Sequence, residues 1–214
     1  MSYINIHTHF KPKFEDEFAL RNGYMFALQD DSLVYKVSNG LHPWFSQGAF
    51  DASKLKEILL QNKAIAVGEC GLDRLRGADL NVQQDIFTKH LDVAHDLKLP
   101  VIVHSVRTYD EVWNLVKGTE VPIILHGFSA SEQQWERFNE SENVYYSLGI
   151  REINRLKYLD RMNLNRILLE TDNQLYSIKD VYEEFAKRRG VEIVELQEFV
   201  KVNVSKLGID IKLL

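Results

Sequence analysis

His7 and His9 stand two residues apart at the end of a short apolar run, Tyr3 to Ile6. Four further side chains able to ligate a metal close later runs of the same kind. Glu69 follows Ala64 to Gly68, His104 follows Val101 to Val103, His126 follows Ile123 to Leu125, and Asp172 follows Leu168-Leu169-Glu170. Side chains two apart in a strand point to the same side, so His7 and His9 can grip one ion while Thr8 faces away. A single His-x-His pair is a weak signal, but six ligand types at five strand ends form a constellation. Imidazoles and carboxylates without a thiolate partner suit two divalent ions such as Zn, Mn or Mg. A carboxylate between two groups of histidines can bridge. Glu69 is therefore assigned as the shared ligand, with His7, His9 and Asp172 around one ion and His104 and His126 around the other. Paired ions of this kind lie roughly 3.5–4 Å apart and activate water against an ester. Asp172 and Glu69 are the catalytic candidates, Asp172 doubling as acceptor of the water's proton.

Other polar residues are weighed against simpler roles. His42, held extended before Pro43, is a candidate for a substrate phosphate, the alternative being a loop histidine packed on Trp44. Arg107, shortly after His104, is the second substrate candidate, the alternative being a salt bridge at a helix start. His90 and His95 fall inside a helical segment, on its outer or flanking faces, and read as structural. Cys70 alternates away from Glu69 and reads as a small buried hydrophobe. Glu15-Asp16-Glu17 and the pair Asp30-Asp31 read as solvated loop residues.

Those side chains need a frame. Short β-branched runs recur at Tyr3 to Ile6, Val34 to Val37, Ala64 to Val67, Val101 to Val103, Ile123 to Leu125, Val144 to Tyr146 and Ile167 to Leu169. Between them lie segments of helical spacing: Ser53 to Gln61, Gln83 to Leu97, Tyr109 to Val116, Ala130 to Phe138 and Ile153 to Met162. A further helix is expected from Lys179 to Arg189. Strand alternating with helix is the pattern of a parallel sheet. The stretch Glu17 to Gly23 reads as a strand and loop in place of a crossover helix, which brings the strands to eight. The expected fold is α/β: a small, somewhat degenerate TIM (β/α)8 barrel with a shortened first crossover, one domain over residues 1–214.

Composition narrows the function. With 214 residues and 45% hydrophobic content, the chain can bury a full core. A net charge of -5 argues against gripping nucleic acid by overall electrostatics, which leaves single strands, ends or small phosphoesters easier to admit than long duplex DNA. Cys70 is the only cysteine, so no internal disulfide forms, and a cytoplasmic location without membrane contact is expected.

The motifs His7-Thr8-His9, Gly40-Leu41-His42-Pro43-Trp44, Gly68-Glu69-Cys70-Gly71-Leu72-Asp73, Leu99-Pro100-Val101-Ile102-Val103-His104-Ser105, His126-Gly127-Phe128-Ser129 and Leu169-Glu170-Thr171-Asp172 resemble, in order, those of TatD-family hydrolases. The resemblance runs from residue 1 to about residue 173. It implies a metal-dependent hydrolase on a TIM barrel, with deoxyribonucleases among its relatives, and it carries the family's ligands onto His7, His9, Glu69, His104, His126 and Asp172. The chain departs from the pattern after Asp172, where Asn173-Gln174-Leu175-Tyr176 replaces the usual Ser-Pro or Ala-Pro, and at Arg74, where an aromatic is commoner. Two other readings remain open at this level. One is amidohydrolase-type cleavage of an amide, lactone or ring C–N bond; the other is a barrel that binds metal or nucleic acid without turnover.

Overall fold

The computed structural model describes residues 3–25 and 36–210. Eight parallel strands form one sheet in chain order, rolled into a nearly closed barrel. They are β1 (Tyr3–Thr8), β2 (Glu17–Asn22), β3 (Lys36–Asn39), β4 (Ala66–Asp73), β5 (Val101–Val106), β6 (Ile123–Leu125), β7 (Val144–Leu148) and β8 (Ile167–Leu169). Among the described residues seven α-helices wrap the outside: α1 (Ala52–Gln61), α2 (Leu80–Leu97), α3 (Tyr109–Val116), α4 (Glu132–Phe138), α5 (Ile150–Arg155), α6 (Ile178–Arg189) and α7 (Ile193–Lys206). With side chains covered inside and out, β4, β6, β7 and β8 are buried along their whole length, which is why they read as continuous apolar runs.

Several boundaries differ from the pattern reading. The strand expected over Val34 to Val37 falls partly, and the Asp30-Asp31 pair wholly, outside the described residues; within them Lys36–Asn39 is strand. The helix expected over Ile153 to Met162 is shorter, ending at Arg155, with a separate 3₁₀ turn at Leu159–Arg161. Helix α7 was not anticipated. Glu17 is no loop residue: it opens β2, and its carboxylate accepts from Asn5 Nδ2 at 3.0 Å and from the Lys13 N–H at 2.7 Å.

The first crossover is short, as the sequence implies. Residues 9–16 carry no helix, yet β1 and β2 pair in parallel from Tyr3 opposite Glu17. Eight extended residues reach about 27 Å, against about 20 Å for a six-residue strand, so the chain can return beside β1 without a helix.

Closure between β8 and β1 is partial. A single bridge joins Thr8 and Asp172, through the Asp172 N–H to the His7 carbonyl and the His9 N–H to the Asp172 carbonyl, each 3.0 Å. Lower in the seam, side chains supply what a ladder would. The Tyr182 hydroxyl, from α6, accepts from the Ile4 N–H at 3.2 Å and donates to the Ile4 carbonyl at 3.3 Å. Asn5 and Thr171 exchange two bonds of 2.9 and 3.0 Å. An unpaired buried backbone group is expensive, so this hydroxyl is part of the wall.

Helix α2 pins the loop after β3. His90 is fully buried against the barrel, a correction to its expected place on an outer or flanking face, though its role is structural. Its Nδ1 lies 2.8 Å from the Ile86 carbonyl, its Nε2 accepts from the Leu41 N–H at 2.9 Å, and its ring stacks on Phe50. A backbone N–H can only donate, which fixes the ring as neutral with its proton on Nδ1. Burial pulls the His90 pKa from 6.5 down to about 4. His95 is exposed, as expected. Among the described residues no helix is long and apolar enough to cross a membrane.

Two outcomes follow from these contacts. Tyr182→Phe should lower unfolding stability by about 1–3 kcal/mol, read from denaturant midpoints; a change near zero would show that the seam does not need the hydroxyl. His90 is depressed in the fold, so the unfolded chain binds its proton first and stability drains as pH falls from 6.5 to 4, by about 3 kcal/mol. Stability measured against pH for wild type and His90→Gln should differ in slope across that window and run parallel above it.

Candidate metal centre

Each candidate ligand sits at the mouth formed by the C-terminal ends of the strands, or just below it. The strands carrying Glu69 and His104 run on past them, so both residues lie within β4 and β5 where the sequence reading placed them at strand ends. In β4 the pairing with β5 shifts register between Val67 and Cys70, a bulge that re-aims Glu69 into the barrel. Gly68 and Gly71 make this possible. Both have positive φ, 132° and 136°, and a Cβ on Gly71 would lie 2.2 Å from the His104 carbonyl oxygen. Only glycine lets the two strands approach so closely there.

Glu69 is buried to 3% exposure at the centre of the cluster. On one side its Oε2 lies 3.4 Å from His7 Nε2 and 3.7 Å from His9 Nε2, and accepts from Asn22 Nδ2 at 3.0 Å. On the other its Oε1 lies 2.9 Å from His126 Nε2, 3.0 Å from His104 Nδ1 and 3.1 Å from His42 Nε2. Asp172 Oδ1 completes the first side, 3.2 Å from His9 Nε2 and 3.6 Å from His7 Nε2. The six candidate ligands thus converge, and His42 converges with them. Its Nδ1 also accepts from the Trp44 N–H at 3.2 Å and its ring meets Trp44 edge to face, so His42 both packs on Trp44 and faces the centre.

Electrostatics bind the cluster tightly. Burial by itself would raise the Glu69 pKa, but the imidazoles around it, His126 foremost, hold it well below the usual range. Burial opposes charge on His7, yet the carboxylates of Asp172 and Glu69 lift its pKa to about 9. His126 is likewise raised against burial, by Glu69 and Glu170. The facing imidazoles of His7 and His9 overcome the burial of Asp172 and keep it ionised far into acid. Protons here occupy places a divalent cation can take, and such binding expels them.

The donors fit a metal. His7 is wholly buried and neither of its ring nitrogens finds a hydrogen-bond partner, a costly state for a group aimed at two carboxylates. Among the described residues three trios have donor atoms within 4.8 Å of one another: His7, His9 and Asp172; His7, Glu69 and His126; His42, Glu69 and His104. Nitrogen and oxygen donors without sulfur match borderline to hard divalent ions.

Above the cluster opens a pocket of about 610 Å³. Trp44, Phe45 and Tyr24 form one wall, and Gly149, Arg151, Glu152 and Tyr176 another. Arg107 is exposed and does not line it; its carbonyl accepts from Arg74 Nε. Arg151 does line it, paired with Glu152 at 2.8 Å. Sequence reasoning passed over Arg151, Tyr24, Asp73 and Glu170. The period of two could have flagged two of these: Asp73 shares a strand face with Glu69, and Glu170 stands two before Asp172. Tyr24, whose hydroxyl lies 2.8 Å from His9 Nδ1, carries no such signal, since a loop brings it there. Cys70 is buried with its sulfur toward the Ile102 carbonyl, away from the cluster.

Several known proteins are similar to this chain in sequence and in fold. A model of TatD-related DNases matches residues 25–207. The uncharacterised metal-dependent hydrolase YjjV of Escherichia coli is 36% identical over 163 residues, 69% of this chain and 61% of its own length. A second uncharacterised metal-dependent hydrolase of that organism, YcfH, is 27% identical over 198 residues, 83% of this chain and 74% of its own. A TATDN1 homologue of Enterocytozoon bieneusi, whose name contains the word deoxyribonuclease, is 26% identical over 164 residues, 74% of this chain and 58% of its own. The chain thus spans less than two thirds of YjjV in the sequence alignment. The crystal structure of YjjV superposes with a TM-score of 0.81 at 25% identity, covering 97% of this chain and 98% of that one.

Saturating divalent metal should raise the thermal midpoint. At a hundredfold excess over Kd the gain is about 2.7 kcal/mol, roughly 5–10 °C for a chain of this size. His7→Ala should lose most of that shift; a variant stabilised by metal as much as wild type would remove His7 from the ligand set.

Proposed function

Because this chain belongs to the TatD-related DNase family, we propose that it is a metal-dependent phosphodiesterase acting on DNA ends, single strands or small phosphoesters. The observation that carries the reading is the bridging placement of Glu69, with nitrogen and oxygen donors on both sides of one buried carboxylate. His7, His9 and Asp172 would hold one divalent ion and His104 and His126 another, Glu69 being shared. Bound there, such ions lower the pKa of a water and polarise a phosphoryl oxygen.

The chain's own groups supply the rest. Asp172 is partly open to the pocket and stays ionised, so it can take the proton of the attacking water at Oδ1. Arg151 gives the pocket wall a guanidinium for a phosphate oxygen, the role expected of Arg107 from sequence. His42 turns its Nε2 to Glu69 and so belongs beside the ligands, with phosphate contact secondary. The aromatic wall of Trp44, Phe45 and Tyr24 can stack a base or other planar group beside the phosphate. Overall acidity does not conflict with this, since a substrate end entering a pocket needs few cationic contacts. The deoxyribonuclease word in the name of one relative lends the reading support.

The test is hydrolysis of a generic phosphodiester and of 3′-labelled single-stranded DNA by metal-loaded protein. Asp172→Asn and His104→Ala should each reduce turnover at least 100-fold, chelator should abolish it, and Arg151→Ala should act mainly on KM. Metal-loaded wild type that cleaves neither substrate but opens a lactone or amide would replace this reading with amidohydrolase chemistry.

A further inference from the structure

Behind His104, on the side away from Glu69, lies a second buried carboxylate. Asp73 ends β4 at 3% exposure, and every contact of its carboxylate is with a group that can donate. Oδ1 accepts from the Leu75 N–H at 2.7 Å and the Arg76 N–H at 3.2 Å. Oδ2 accepts from the Trp44 indole Nε1 at 2.6 Å and faces His104 Nε2 at 3.3 Å. Its backbone is clamped as well: the buried amide of Gln83, on α2, bonds the Asp73 N–H at 2.8 Å and its carbonyl at 2.9 Å. The carboxylate is thus fixed in place before anything binds.

The consequence is chemical. An imidazole that ligates a metal keeps its proton on the nitrogen turned away from the ion, where a facing carboxylate can hold it, and ligates through the other. For His104 the other nitrogen is Nδ1, 3.0 Å from Glu69 Oε1 and 3.3 Å from His126 Nε2. His126 has the mirror arrangement, with Nδ1 3.4 Å from Glu170 Oε1 and Nε2 toward Glu69. Two neighbouring histidines must present opposite nitrogens to one centre, and a carboxylate stands behind each.

We propose that Asp73 is a positioning residue for the metal centre: it holds the His104 proton on Nε2 so that Nδ1 faces the ions, and joins that setting to Trp44 on the pocket wall. The inference rests on the metal-centre reading above. It requires an acceptor on both oxygens, which an amide cannot provide. In Asp73→Asn the NH₂ must face either two backbone N–H groups or the Trp44 N–H and His104. The only partner able to yield is His104, by moving its proton to Nδ1, where it blocks ligation.

The experiment is titration of the full chain with Zn²⁺ alone by calorimetry, beside ¹⁵N spectra of the histidine rings in the zinc-loaded protein. Zinc on Nδ1 of His104 with the proton on Nε2 is expected in wild type, and Asp73→Asn should weaken zinc binding 10–100-fold. Zinc on Nε2 of His104 in wild type overturns the proposal whether or not the variant folds, as does an Asp73→Asn protein of undiminished affinity. If wild type takes up no zinc, manganese or magnesium, the metal-centre reading itself fails and this inference with it; if it binds zinc through Nδ1 without hydrolysing a phosphodiester, only the substrate reading falls.

Discussion

A carboxylate buried to 3% exposure and faced by five imidazoles is the arrangement on which the rest of this molecule depends. Removing a charge from water costs several kcal/mol unless opposite charge and hydrogen bonds compensate it. Glu69 obtains that compensation from five different segments of chain, so its environment exists only when the barrel is assembled. The carboxylates of Asp172, Glu69 and Glu170 draw protons toward imidazoles that would ordinarily be neutral, raising the pKa values of His7 and His126 against burial. The same arrangement is what a divalent ion needs, with charge concentrated and lone pairs aimed inward.

The barrel meets this demand with specific local concessions. Gly68 and Gly71 allow β4 to bulge against β5 so that Glu69 turns inward. At the opposite side of the ring the sheet fails to zip fully, and Asp172 takes both roles: its backbone forms the bridge that closes the barrel to β1, and its side chain joins His7 and His9. The candidate-ligand segment of β1 and the closure of the fold are therefore one structure. Tyr182, Asn5 and Thr171 carry the remainder of the seam by side-chain hydrogen bonds, which lets a short β8 of three residues suffice.

Supporting groups behind the cluster explain its shape. Asp73 and Glu170 face the outer nitrogens of His104 and His126, and His90 holds the backbone next to His42. These groups come from β4, the end of β8 and α2, so neighbouring crossover units each contribute a ligand and a support for another unit's ligand. The absence of a helix between β1 and β2 leaves the site intact because none of these supports comes from that crossover.

The sequence by itself determined much. Apolar runs bounded by polar residues announced alternating strands and helices, and ligand types recurring after those runs announced a candidate metal site, because strand period and strand-end position are local properties. It also implied the missing first crossover helix, from the length available. What it could not carry was anything decided by pairing between distant segments. The true extents of β4 and β5 follow from their mutual ladder, and the inward face of His90 follows from the Leu41 N–H it meets. Arg151 lines the pocket and Arg107 does not, although both follow strands, because a loop's direction is set by what it packs against. The tertiary structure alone decided which carboxylate stands behind which imidazole, since hydrogen bonds across 31 and 44 residues of chain leave no mark on local pattern.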